Sequence, residues 1–573
     1  MSDTVVVATT ATAAARPVAT TDGRTRATLA PPAASRRLPA LMVVVAMTLL
    51  AVVAYRLIMT VGTWDAWIGG GGGYFGALAD AFAAGQTHLK VPPRPELLKL
   101  ADPYDPAANL PYRLHDALLY HNRYYLYWGP VPALVVLTVW SALGGPAPLT
   151  SIGDHAIVYV AAVGTVVFSL LLLARVRRAL FPSQGVWTLV VGGAVVAFAT
   201  PLPFMLARPA VYEAAILAGQ CFFMGGIWAS TRAFDQTGRI ARRWLVASGV
   251  MLAAAMGCRI SLALGVAAAG VLIGLRVLWE RRPLEAAARA AEADAPRAAG
   301  VSPRQRHVFD HIGAVVIPLL PLGLPLVLGL ALLLQYNKAR FGKWTEFGVR
   351  YQLAGINVNK TVDELMSNQF VTPNLVRYLW QPLGRRDLLP YVTAHAPSNV
   401  PPDQLPPLAY HAEPLAGLVY ASPALATAAL AALAAAAFAA RAALAVLRRA
   451  RAGEAVAGPL SPRAAVHWVA GLLVVGALLN FAPVLRMSGS TMRYLADLTP
   501  PLAVAAAVGF WQLRALHRHV AVLVAALFVP VAAYTVLVGM LLGMVGYGDA
   551  FWTGNKPLME RLSRALPANP VVW

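Results

Sequence analysis

The stretch "LPALMVVVAMTLLAVVAYRLIMTVGTWDAWIGGGGG", residues 38–73, opens with an apolar run to Met59 whose one charged side chain is Arg56. A helix of that length, at about 1.5 Å per residue, crosses the ~30 Å hydrocarbon layer of a bilayer. The chain then leaves that layer at once. Trp64 and Trp67 mark the headgroup level on either side of Asp65, and five glycines, Gly69–Gly73, oppose a helix and bend the chain back. Comparable runs recur near 155–174, 186–206, 214–231, 311–336, 415–440, 464–485, 498–513 and 520–545, with shorter ones at 131–143, 244–258 and 262–278. The chain therefore reads as an all-α polytopic membrane protein of roughly ten to twelve transmembrane helices, with a large first extracytoplasmic loop bearing short surface helices. Of 573 residues, 58% are hydrophobic and only 13% charged, and mean hydropathy is +0.60, which excludes an ordinary soluble domain.

Residues 1–37, rich in Ala, Thr, Pro and Arg and without periodicity, read as a disordered cytoplasmic tail, and 38–545 as one multi-spanning domain. Two cysteines, Cys221 and Cys258, both in apolar runs, support neither a disulfide framework nor a cysteine metal site. The formal charge of +21 points to membrane topology rather than nucleic acid. Basic residues gather in "RVRR" (175–178) and in 232–243, 280–307, 441–463 and 514–519, short connections that the positive-inside rule assigns to the cytoplasm, with 280–310 as the long cytoplasmic linker. Alternation then puts 60–128, 207–213, 258–261, 337–414 and 486–497 outside, with the tail 546–573. The short run 131–143, opened by "GPVP" and closed by "GGPAP", must be re-entrant or incompletely spanning, or "RVRR" breaks the rule.

Ionisable residues from five separate loops thus meet one membrane face, as a single outward site requires. Asp65, at headgroup level, suits a general base on an acceptor hydroxyl, or is a plain turn acid. In "DPYDPAANLPYRLHDALLYHNRYYLYWGP" (102–130), prolines and aspartates fall at turn spacing, then Tyr120, Tyr124, Tyr125, Tyr127 and Trp128 run into the membrane. Those rings suit an interfacial belt, or stacking on sugars and polyprenyl chains beside His115 and Asp116. Arg208 and Glu213 stand at an outer helix end in "ARPAVYEAAI", and "MGCRISLALG" sets Arg259 between two half-length apolar runs, where a charge costs on the order of 3 kcal/mol and is functional by default. Arginine is the natural clamp for phosphate, although a structural ion pair reads the same. Arg340, Glu346 and Arg350 alternate with aromatics, fit either for a diphosphate or phosphosugar or for a solvated helix face, and Arg493 and Asp497 lie four apart in "STMRYLADLTPPL". No Walker loop, dinucleotide fingerprint, zinc motif or nucleophile elbow occurs.

With "GYFGALADAFAAGQ" as a surface helix, "YYLYWGP" before the next apolar run, and "RPAVYE", "GCRIS" and "TMRYLADLTP" at outer helix ends, residues 38 to 545 resemble the integral-membrane glycosyltransferase C superfamily, which includes protein mannosyltransferases and lipid A aminoarabinose transferases. The resemblance implies inverting transfer of a sugar from a polyprenyl-phosphate donor to a lipid, glycan or protein acceptor on the outer face of a bacterial inner membrane. It implies a first-loop acid as base, arginines holding the departing phosphate, and either no metal or a divalent cation. The superfamily's acid commonly lies two or three residues before a tyrosine of the surface helix, whereas Tyr74 follows glycines, so Asp65, Asp80 and Asp116 compete, with Asp65 first by position and Asp116 second by its aromatic setting. The expected site is Asp65 or Asp116 with Arg208, Glu213, Arg259, Arg340, Arg350, Arg493, Tyr124 and Tyr125. A transporter or flippase of a lipid-linked saccharide is the rival reading, and broken helices in repeated halves would favour it.

Overall fold

A computed structural model describes residues 38–64, 73–145, 148–234, 239–293, 303–395, 410–451 and 460–566. The N-terminal tail and Asp65 lie outside the described residues. The chain is all-α and polytopic: among the described residues eight helices are long and apolar enough to cross a membrane. In chain order the elements are α1 (Leu38–Met59), α2 (Tyr74–Ala83), β1 (Leu118–Tyr120), β2 (Arg123–Tyr125), α3 (Val131–Ala142), α4 (Asp154–Leu180), α5 (Trp187–Phe198), α6 (Val211–Ala233), α7 (Arg242–Cys258) and α8 (Ala263–Ala293). There follow α9 (Pro303–Phe341), β3 (His411–Ala412), α10 (Thr427–Arg451), α11 (Pro462–Leu485), β4 (Gly489–Ser490), α12 (Thr499–Arg514), α13 (Arg518–Val545) and α14 (Lys556–Ala565), with short helical turns between. The shorter α5, α7 and α12 run between long helices and complete the bundle.

Why these runs become helices is set by the solvent they meet. Hydrocarbon offers no partner to a backbone N–H or C=O, so each run must satisfy its own. On α1 the buried residues Val44, Met47, Ala51, Tyr55 and Ile58 recur every three or four positions and face the bundle, and the Tyr55 hydroxyl donates to the Ala197 carbonyl of the α5 segment at 2.6 Å. By contrast α6 is buried on nearly every side and forms the centre, against α4 and α7. The run expected at 186–206 is divided: α5 ends at Phe198, just before Pro201 and Pro203, which cannot continue it. The two half-runs around Arg259 are not a broken helix. They are nearly the whole of the 17-residue α7 and the first half of the 31-residue α8, which meet in a tight turn.

The difficulty at 131–143 is resolved by length. With 12 residues, α3 reaches only about 18 Å, well short of the bilayer, and it lies against α2. The next crossing is then α4, and "RVRR" falls at the same end as the other basic connections. There Arg175 donates to the Thr231 carbonyl near the C-terminus of α6, and Arg514 Nε donates to Gln184 Oε1 at 3.0 Å. The opposite end, the loop end, gathers 60–64, 73–128, 207–210, Arg259, 342–395, 410–417, 486–498 and 546–566.

Two carboxylates fasten α2 beneath these loops. Asp154, the first residue of α4, accepts from the N–H groups of Tyr74 and Phe75, each at 3.1 Å, which the start of α2 would otherwise leave unpaired. Asp80 accepts in return from Leu149 N–H at 2.8 Å and Thr150 N–H at 3.3 Å, so both its oxygens are engaged and it is buried. Gly73, last of the five glycines, is required here, because a Cβ would lie 2.3 Å from the Ile152 carbonyl oxygen. Asp154→Ala strands two buried donors and is expected to cost about 1–3 kcal/mol. The measurement is thermal unfolding in detergent, with proteolysis of 84–94 as a local readout.

Candidate functional site

Arg259 occupies the turn between α7 and α8 at the loop end, and its guanidinium pairs with Asp497, which is fully buried. Gln220 Nε2 of α6 also donates to Asp497 Oδ1, at 3.4 Å. Burial pushes the Asp497 carboxyl up, and Arg259 and Gln220 oppose that shift. The tyrosine-rich segment docks directly on this turn. Gly129 N–H donates to the Cys258 carbonyl at 3.1 Å, and a Cβ on Gly129 would stand 1.9 Å from the Gly257 carbonyl oxygen. "YYLYWGP" and "GCRIS", more than a hundred residues apart, are thereby neighbours.

Beside this pair four charges form a second cluster. Glu413 Oε2 lies 2.7 Å from Arg493 Nη1 and 3.6 Å from Arg208 Nη2, and accepts from the Thr491 hydroxyl at 2.6 Å. Glu213 Oε1, buried at the first turn of α6, lies 3.7 Å from Arg208 Nη2 and 4.0 Å from Arg493 Nη1. Burial raises the Glu413 carboxyl, but Arg493, Thr491 and Arg208 outweigh it and hold the group below the ordinary carboxylate value. Parallel pairing of β3 with β4 delivers Glu413, whose N–H donates to the Ser490 carbonyl at 2.9 Å. Arg493 is 9% exposed in its side chain and Arg208 43%, so Arg208 is the more accessible of the two cations. Arg208 also lies over the ring of Tyr547, 3.5 Å from its centroid.

Aromatic rings join the two clusters to Asp116. Tyr212 lies under Arg493 at 4.6 Å and edge-on to Trp128 at 4.9 Å, and Tyr494 lies under Arg259 at 5.0 Å. Gln352 Nε2 is 3.0 Å from Asp116 Oδ1 and 3.1 Å from the Tyr212 hydroxyl. Asp116 has φ 62°, a left-handed conformation that non-glycine residues hold only when their surroundings impose it. Those surroundings are backbone bonds: Asp116 N–H to the Leu353 carbonyl at 3.0 Å, Leu353 N–H to the Ala117 carbonyl at 2.9 Å, and the Tyr74 hydroxyl to the His115 carbonyl. The carboxylate is thus aimed by loops 116–117 and 352–353 together.

Of the expected residues, Asp116, Arg208, Glu213, Arg259 and Arg493 come together, while others stand apart. Arg340 is buried, donates to the Leu126 carbonyl and to Asn337 Oδ1, and stacks between Tyr336 and Phe341, which makes it a strut between α9 and the β-hairpin. Arg350 is half-exposed and paired with Glu346 at 3.5 Å. Tyr124 and Tyr125 are both buried in β2, where Tyr125 packs with Tyr120 and Phe341. Glu413, Gln352 and Tyr547 escape a sequence reading. Each is a lone polar residue in an aperiodic stretch. Tyr212 carried one signal, its place beside Glu213 in "RPAVYE".

Among the described residues no three His, Cys, Asp or Glu side chains gather as a metal ion would require. No protein-family model and no curated protein matches the chain by sequence. Among solved structures it is similar to the apo oligosaccharyltransferase of Archaeoglobus fulgidus, with 12% identity and a TM-score of 0.40 over 92% of this chain and 58% of that one. It is also similar to the same archaeal enzyme, AglB, in complex with an inhibitory peptide and a dolichol-phosphate, with 13% identity, a TM-score of 0.39, and 91% and 59% coverage. A third similarity is to ArnT from Cupriavidus metallidurans bound to undecaprenyl phosphate, with 12% identity, a TM-score of 0.35, and 91% and 79% coverage. The chain spans somewhat over half the length of the oligosaccharyltransferases it matches.

Proposed function

We propose that this chain is a membrane glycosyltransferase that moves a sugar from a polyprenyl-phosphate donor to a lipid, glycan or protein acceptor at the loop end, on the outer face of a bacterial inner membrane. One observation carries the reading. A carboxylate with an imposed backbone conformation, Asp116, is linked through Gln352 and Tyr212 to Arg493, and through Glu413 to the half-exposed Arg208. A base and a pair of cations in one polar chain are what displacement of a phosphate by a hydroxyl needs.

In that reaction Asp116 takes the acceptor hydroxyl proton as the oxygen attacks the anomeric carbon. The bond from that carbon to the phosphate oxygen breaks on the opposite face, and configuration inverts. Charge developing on the leaving phosphate is met by Arg208, with Arg493 behind it. These cations are set in place before the reaction, so they need not reorganise. Glu413 and Glu213 keep both arginines aligned while the site is empty of phosphate. Asp65, outside the described residues, is the competing base.

The test is transfer of radiolabelled sugar from polyprenyl-phosphate sugars by the purified protein. Asp116→Asn is expected to lower turnover by about 10²-fold or more with donor binding retained, and Asp65→Asn to leave it nearly unchanged. The reverse result assigns the base to Asp65. Arg208→Ala is expected to weaken the donor step on the order of tenfold or more, whereas Glu413→Gln, which removes the carboxylate competing for both arginines, is expected to tighten binding of free polyprenyl phosphate. Saturable binding of a lipid-linked glycan with no turnover from any donor would make the protein a transporter instead.

A further inference from the structure

We propose that His115 is a proton relay, carrying the acceptor proton from Asp116 to water. The inference rests on the assignment of Asp116 as base and adds a residue to it. His115 Nε2 lies 3.5 Å from Asp116 Oδ2, with the histidine side chain 60% exposed and the aspartate 13%. The two carboxylate oxygens therefore have different neighbours. Oδ1 is held from within by the Gln352 amide, and Oδ2 faces an imidazole that reaches solvent. The Tyr74 hydroxyl, donating to the His115 carbonyl, fixes the backbone that presents both side chains.

A recessed base that has taken a proton must lose it before the next turnover, and its neighbours decide where the proton goes. Gln352 has no basic site at physiological pH. The titratable groups that face Asp116 from other elements are Tyr74 from α2, Tyr127 from the segment after β2, and Tyr212 from α6. Burial pushes the Tyr74 hydroxyl up to about 12 and raises that of Tyr127, so both are already protonated and cannot receive a proton. Among the described residues, His115 is the side chain within ion-pair reach of Asp116 that can accept one. The step balances simply: neutral imidazole takes the proton from the carboxylic acid, the carboxylate is restored, and imidazolium passes the proton to water.

A relay makes its own pH signature. A relay through an imidazole runs only while that ring is neutral, so turnover should rise with pH across the neutral range and the rise should vanish with the ring. The experiment compares wild type, His115→Ala, His115→Gln and Asp116→Asn in the full-length protein with the same polyprenyl-phosphate sugar, across that range and with added imidazole. His115→Ala is expected to turn over on the order of tenfold more slowly, to lose the rising limb, and to recover with imidazole, while Asp116→Asn stays slow with or without it. His115→Gln, close in size and still polar, separates folding from chemistry and is expected to be slow but stable. Full activity of both histidine variants beside an inactive Asp116→Asn overturns the relay and leaves the base in place. A slow His115→Ala with an unchanged pH profile and no response to imidazole makes His115 structural. An active Asp116→Asn, or no turnover by wild type with any donor, removes the base assignment itself and the relay with it.

Discussion

Four charges held together at the mouth of an apolar bundle fix the arrangement of everything around them. Arg208, Glu213, Glu413 and Arg493 come from the approach to α6 and its first turn, the β3 segment and the β4 loop, and each lies within about 4 Å of both charges of opposite sign. Glu213 is wholly buried, and neither of its oxygens has a hydrogen-bond donor, so its charge is tolerated only because two guanidinium groups lie within about 4 Å. Breaking a buried pair of this kind costs roughly 3–5 kcal/mol, although the half-exposed Arg208 contributes less because water screens it. The backbone follows the charges: β3 pairs with β4 so that Glu413 reaches Arg493, and the 3-10 turn at Met492–Asp497 sends Arg493 to one cluster and Asp497 to the other.

Most of the fold could be read from the chain because hydrocarbon imposes a single rule. A run of about twenty apolar residues has no alternative to a helix, and the basic connections fall at one end as their charge requires. Errors came where prolines or loop chemistry intervened. Pro201 and Pro203 divide one expected span. Arg259, read in an outer connection between two half-length runs, does lie in such a turn, but the second run continues into a 31-residue helix. The uncertain run at 131–143 needed its partner α2 to explain it, and that contact leaves no trace in local periodicity.

The site was legible only in part, and the division has a physical basis. Charges that open or close a membrane helix, such as Arg208, Glu213, Arg259 and Arg493, stand out because their surroundings are apolar. Within the outer loops polar residues are ordinary, and nothing in sequence distinguishes Glu413, which completes the charge cluster, from the solvated pair of Glu346 and Arg350. Arg340 shows the converse. It has the composition of a ligand clamp, yet its two terminal nitrogens are taken by Leu126 and Asn337 and its plane by two rings. Asp80 likewise spends its carboxylate on backbone N–H groups, a use that only the three-dimensional path of 148–154 reveals.

The ring beneath Arg208 belongs to Tyr547, two residues beyond the last membrane helix, and the chain after it turns back so that Asn555 donates to the Val61 carbonyl at 3.0 Å, next to the end of α1. Synthesis runs from the N-terminus, so Tyr547 is made after all the long apolar helices of the described residues. The aromatic face of Arg208 is therefore completed late in synthesis, and the segment that completes it also ties the end of α13 to the end of α1. A chain terminated before Tyr547, however well inserted, lacks the aromatic face against which Arg208 rests.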